Sequence, residues 1–160
     1  MAVIDPVFGR ILYHNWLGWV GTYTYPFLGR DVEVRLYLGG DEDVPVSDFQ
    51  RETMKRFNAR KDELCMQADD ALYEHYCEVL DDLRDQFEEF ADELMPIVDG
   101  RDELARLVTP TIFLVRKQLG SSVDRTIGLL CECTWAVDLG LAVKLVNEVV
   151  TDVGPQSNVL

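Results

Sequence analysis

Four cysteines and two histidines carry the ready metal-binding and redox chemistry of this 160-residue chain. Cys131-Glu132-Cys133 sets two thiols on one face of a strand, which is half of a zinc site. Zinc takes four ligands, usually from two such pairs. Cys65 and Cys77 do not complete it, because residues 12 apart fall about 120° out of phase on a helix. His75 and Cys77 also face apart, and His14 is the one other candidate. The cysteines therefore read as buried structural thiols, with no metal and no cofactor expected. For hydrolysis or phosphoryl transfer the chain has neither a nucleophile elbow nor a phosphate-binding loop. Acidic pairs such as Asp69-Asp70 and Glu88-Glu89 are too numerous for any one to stand out. No enzyme is expected.

Carboxylates matter here collectively. Between Asp62 and Glu93 there are 13 acidic residues and a single basic one, Arg84, so this stretch holds −12 of a net −14. Asp81, Asp82, Asp85, Glu88, Glu89, Asp92 and Glu93 crowd its last 13 residues. Just upstream, Arg51, Lys55, Arg56, Arg60 and Lys61 make the beginning basic. A single helix would then carry its charge against its own macrodipole, a cost of about 0.3–1 kcal/mol per misplaced terminal charge. Local helix physics does not explain the pattern. Two readings remain: a solvated face that keeps the protein soluble, or a docking surface for a basic protein partner. A pI of 4.4 excludes direct binding to nucleic acid or to an anionic membrane, since both would be repelled.

The acidic residues ride on a stretch, 47–95, without Gly or Pro. Its apolar residues, among them Phe57, Leu64, Leu72, Tyr76 and Leu83, recur at helical steps. Ser47 with Gln50 three residues on predicts a capping box, and Pro96 predicts the end. One unbroken helix would span about 70 Å, far beyond a compact domain, so two or more helices are expected. Asn58 and Asp81-Asp82 are the candidate breaks.

Strands are expected on both sides. Residues 7–38 read as a three-stranded antiparallel meander: Phe8 to Tyr13, Trp16 to Tyr25, and Asp31 to Leu38. The third alternates fully, with Val32, Val34, Leu36 and Leu38 against Asp31, Glu33, Arg35 and Tyr37, which predicts one buried and one wet side. Gly18 and Gly21 suggest a bulge or a close backbone approach. Trp16, Trp19, Tyr23 and Tyr25 form core or, alternatively, line a groove for a small ligand in a sensory domain. Residues 101–154 predict a short helix, Arg101 to Val108, ended by Thr109-Pro110. Strands Thr111 to Arg116, Arg125 to Thr134, Gly140 to Val146 and Val149 to Val153 follow, with Asn147-Glu148 as the last turn and a frayed tail. The fold class is α+β: an antiparallel sheet built from both ends of the chain, with the helical middle on one face. The chain reads as one domain, 1–160. No apolar run approaches a membrane span, and the N-terminus lacks a signal-peptide pattern, so a cytoplasmic protein is expected.

Near the C-terminus, Cys133-Thr134-Trp135-Ala136-Val137-Asp138-Leu139-Gly140-Leu141-Ala142-Val143 resembles the late signature C-x-W-D-x-E-H-G-L-x-V of a bacterial family of domains of unknown function. Cys133, Trp135, Gly140, Leu141, Val143, Val153 and Gly154 stand at matching places. Ala136, Asp138 and Leu139 replace the Asp, Glu and His. The resemblance implies that any chemistry of those three side chains is lost here. If they only shape a turn, Asp138 and Gly140 suffice. It further implies a small cytoplasmic partner-binding protein, such as an immunity protein that neutralises a toxin.

Overall fold

A computed structural model describes residues 2–160. The described residues build one eight-stranded sheet whose spatial order follows the chain. Four strands precede the helices: β1 (Ala2–Asp5), β2 (Gly9–His14), β3 (Gly18–Phe27) and β4 (Arg30–Gly39). Then come α1 (Asp48–Ala59), α2 (Lys61–Phe87), a 3-10 turn at Glu88–Phe90 and the short α3 (Ala91–Leu94). Another 3-10 stretch, Arg101–Arg106, leads into β5 (Val108–Val115), β6 (Thr126–Cys133), β7 (Leu141–Val146) and β8 (Val149–Gly154). Neighbouring strands are antiparallel except β4 and β5, which run parallel because the helical segment carries the chain back across the sheet. The α+β architecture and the central helical layer are as the sequence implied.

The helices cover one face. Val34, Leu36 and Leu38 of β4 are buried beneath them while Asp31, Glu33 and Arg35 are exposed, so the alternation sorted this strand correctly. β6 is buried on both sides, only Glu132 reaching solvent. Its second face is covered by the tail: Val159 is wholly buried against Leu130 and Ala142, with a last 3-10 turn at Gln156–Asn158. The tail is thus packed rather than frayed, because β6 has an apolar second face that Val159 covers.

Several boundaries differ from expectation. The N-terminal meander has four strands, since β1 adds to the edge of β2. Asp5 explains the tight turn between them: its carboxylate accepts the Val7 and Phe8 N–H groups at 2.9 and 3.0 Å and pairs with Arg51 of α1 at 2.7 Å. Residues 101–106 wind as a 3-10 stretch, and Pro110, expected to stop a helix, lies inside β5 at a register shift where no ladder bond from it is needed. The helical segment breaks at Arg60, two residues after Asn58, whereas Asp81-Asp82 continues inside α2. The break has no side-chain cap; packing of α1 over β5 and of α2 over β3 and β8 sets it.

The capping box at Ser47 and Gln50 is present. Gln50 also donates through Nε2 to Leu38 O at 2.7 Å and Val115 O at 3.0 Å, pinning α1 to the ends of the parallel pair. At the β3–β4 bulge, a Cβ on Gly18 would stand 2.4 Å from the Gly39 carbonyl carbon, so the close approach read from the sequence is real. Asn147 and Glu148 turn with φ of 50° and 61° although neither is Gly. Arg125 compensates, its guanidinium gripping Glu148 at 2.9 and 3.0 Å and its N–H bonding Asn147 Oδ1.

Candidate partner-binding surface

α2 is 27 residues long, about 40 Å at the standard rise, and its acidic end lies over the β7–β8 side of the sheet. Leu72, Tyr76, Val79, Leu83 and Phe87 form the stripe that packs down. The candidate residues Asp81, Asp82 and Asp85 are exposed on its last two turns. Glu88 and Glu89 occupy the 3-10 turn, Asp92 and Glu93 lie in α3, and all four are exposed. Glu88 itself takes a φ of 49°, a strained value for a residue with a Cβ, and it is this reversal that ends α2.

Arg84 does more than offset charge. Its guanidinium donates to Ala91 O and to Met95 O at 3.3 and 2.6 Å and pairs with Asp92 at 2.7 Å. It clasps α3 back onto α2, so six of the seven candidate carboxylates form no ion pair among the described residues.

The signature residues lie beside this helix end. Trp135 is buried edge-on against Tyr76, ring centroids 4.8 Å apart. Cys133, Leu141 and Val143 point into the core. Thr134 Oγ1 donates to Leu94 O at 2.6 Å, which ties the turn to α3. Residues 136–140 close with Gly140 N–H donating to Ala136 O at 2.9 Å, Gly140 standing at φ 65°. A Cβ there would meet the Gln156 side chain at 2.5 Å. Gln156 in turn locks the turn from the tail, bonding Cys131 O at 2.9 Å and Leu139 O at 3.2 Å. Asp138 makes no side-chain hydrogen bond among the described residues, so Gly140 shapes this turn. All three positions that depart from the signature, Ala136, Asp138 and Leu139, fall within it.

Between the turn and α2 lies an open recess of about 420 Å³, lined by His75, Leu83, residues 135–141, Gly154 and Pro155. A second, of about 300 Å³, adjoins it at His75, between Glu74 and Glu78 of α2 and Asp152 of β8. Burial holds His75 below its ordinary range, opposed by the carboxylates of Glu78 and Asp152. Neither recess is legible in the sequence, since their walls are distant in the chain.

The other candidate groups are dispersed. Cys65, Cys131 and Cys133 are buried free thiols, and burial raises all three, Cys65 to about 12. Cys77, expected inside, is exposed on the flank of α2 because Tyr76 takes the inward position. Of the aromatic group, Trp19 is buried, its Nε1 donating to Asp41 O and Val44 O at 3.1 and 3.2 Å. Tyr25 joins Phe57 and Phe113 in the core and the half-buried Tyr23 packs against them, Lys61 standing 4.3 Å over the Tyr23 ring. Trp16 is 91% exposed at the β2–β3 turn. It does not share a groove wall with Tyr23.

The chain belongs to the DUF6985 family, a domain of unknown function, whose model matches residues 7–160. No curated protein and no solved structure matches it. No helix among the described residues is long and apolar enough to cross a membrane.

Proposed function

We propose that this protein is a non-enzymatic binding module that docks a basic protein partner on the acidic end of α2 and α3. An immunity protein or inhibitor acting in the cytoplasm is the kind of protein this describes. The supporting observation is the six exposed carboxylates left without an ion pair around Asp81 to Glu93, in a protein of net −14. Like charge so concentrated works against the compact state and steers a cationic partner. Arg84, the single basic residue between Asp62 and Glu93, is already engaged in holding α3. The alternative, a small-ligand or sensory domain built on the aromatic meander, has less support because Tyr25 is core and the half-buried Tyr23 packs against it.

The test is paired affinity capture from source-cell lysate at low and high salt. The baits are the wild-type chain and a variant carrying Asp81→Lys, Asp85→Lys and Glu89→Lys. A basic protein retained by the wild type at low salt, released by high salt and lost with the reversal variant is the expected result. Equal recovery on both baits would leave the carboxylates as a solubilising face.

A further inference from the structure

We propose that the recess between α2 and the 135–141 turn is an anchor site, taking an apolar side chain from a Lys- or Arg-rich segment of the partner. This rests on the acidic-face reading above and adds where the partner's apolar contact falls. Leu83, Trp135, Val137, Leu139 and Leu141 give the recess an apolar lining. Its volume of about 420 Å³ is that of an ordinary small pocket. Val137 and Leu139 are 80% and 64% exposed, two apolar side chains held in water on one turn. That turn is fixed at both ends, by the Gly140 N–H to Ala136 O bond and by Gln156. Apolar groups presented on a pre-organised backbone lose little entropy on binding, which is what an interface anchor requires.

Charge selects the occupant. Neither recess has a lysine or arginine among its described lining residues. His75, Glu78 and Asp82 follow at steps of three and four along one flank of α2, Asp138 stands on the turn, and Asp152 lies across the second recess. Burial keeps His75 from offsetting them at neutral pH. A second copy of this chain, at −14, would be repelled, as would anionic lipid or nucleic acid. A cationic protein segment with one or two apolar residues fits both the floor and the rim.

The probes are two synthetic peptides, Lys-Lys-Leu-Phe-Lys-Lys and hexalysine, added to the isotope-labelled protein at low salt and followed by amide chemical shifts. The mixed peptide should perturb residues 137–141 as well as the helix end, while hexalysine perturbs only the region 81–93. Replacing Val137→Ser and Leu139→Ser together should weaken the mixed peptide about tenfold, the scale of one buried apolar contact, and leave hexalysine unchanged. Both side chains are exposed, so the fold should survive, which circular dichroism would check. If the mixed peptide perturbs only the helix end, or binds the double variant as tightly as the wild type, the anchor is overturned and the acidic-face reading stands. Binding of the mixed peptide at the turn with no response to hexalysine keeps the anchor and removes the acidic face. No binding of either peptide overturns both.

Discussion

Asp69 is the buried carboxylate that this fold tolerates at a cost. It lies on the inner side of α2, where its Oδ2 accepts the Leu28 N–H at 3.1 Å and so ties the β3–β4 turn to the helix. Burial pushes its carboxyl from the ordinary 3.8 up to about 6, with the Leu28 N–H and Arg101 pulling the other way. Between those two values the folded state holds a proton that the unfolded state has released. Its contribution to stability is therefore complete below about pH 4 and is lost as pH rises through about 6. Asp5 behaves oppositely. Burial alone would raise it, but Arg51 and the Phe8 and Val7 N–H groups outweigh that and lower it, so its contribution is lost only as pH falls below the ordinary range. Asp69→Asn retains an acceptor without the titration. Urea midpoints measured from pH 4 to 7 should fall for the wild type and fall less for this variant. Parallel profiles would contradict the assignment. The neighbouring Tyr25 hydroxyl is the one buried side-chain polar atom lacking a partner among the described residues. An unpaired buried hydroxyl costs about 1–3 kcal/mol, so Tyr25→Phe should raise the midpoint. A drop instead would mean that the hydroxyl is satisfied in solution.

Among the elements, β4 carries the clearest division of labour. Val34 is 5% exposed beneath the helices while its neighbour Arg35 faces solvent. An Asp at position 34 would bury an unpaired charge, at several kcal/mol, whereas at 35 it would stay hydrated. Denaturation midpoints should therefore separate widely, Val34→Asp being far less stable than Arg35→Asp. Equal midpoints would mean the strand is turned over. The end of α2 has a different physics. Glu88 holds a left-handed φ where Gly would be unstrained, and the Arg84 clasp keeps α3 folded back despite it.

For the whole molecule, the decisive quantity is charge. With −14 spread unevenly, self-repulsion should make the folded state more stable when salt is added to a low-ionic-strength buffer. The variant with Asp81→Lys, Asp85→Lys and Glu89→Lys should melt higher than the wild type at low salt, and its melting temperature should rise less with added salt. A wild-type melting temperature indifferent to salt would show that the carboxylates are too well hydrated to repel one another. It would also weaken the case that they steer a partner.

What the chain's own order determined is whatever repeats locally. The strict alternation of Asp31 to Leu38, the helical spacing from Phe57 to Leu83 and the Ser47 capping box each act over a few residues, so residue types alone disclosed them. The charge asymmetry was equally open, since it is a matter of counting. Contacts across the chain decided the rest. β1 pairs along β2 and is tied at its end where Asp5 meets Arg51 of α1, 46 residues on. The helix breaks at Arg60 because α1 and α2 must lie on different strands, and the tail is ordered because Val159 fills the bare face of β6. The recess beside α2 combines His75 and Leu83 with residues 135–141 and Pro155. No sequence pattern joins such distant walls; only folding the sheet's last three strands under α2 brings the acidic helix end and the signature turn together.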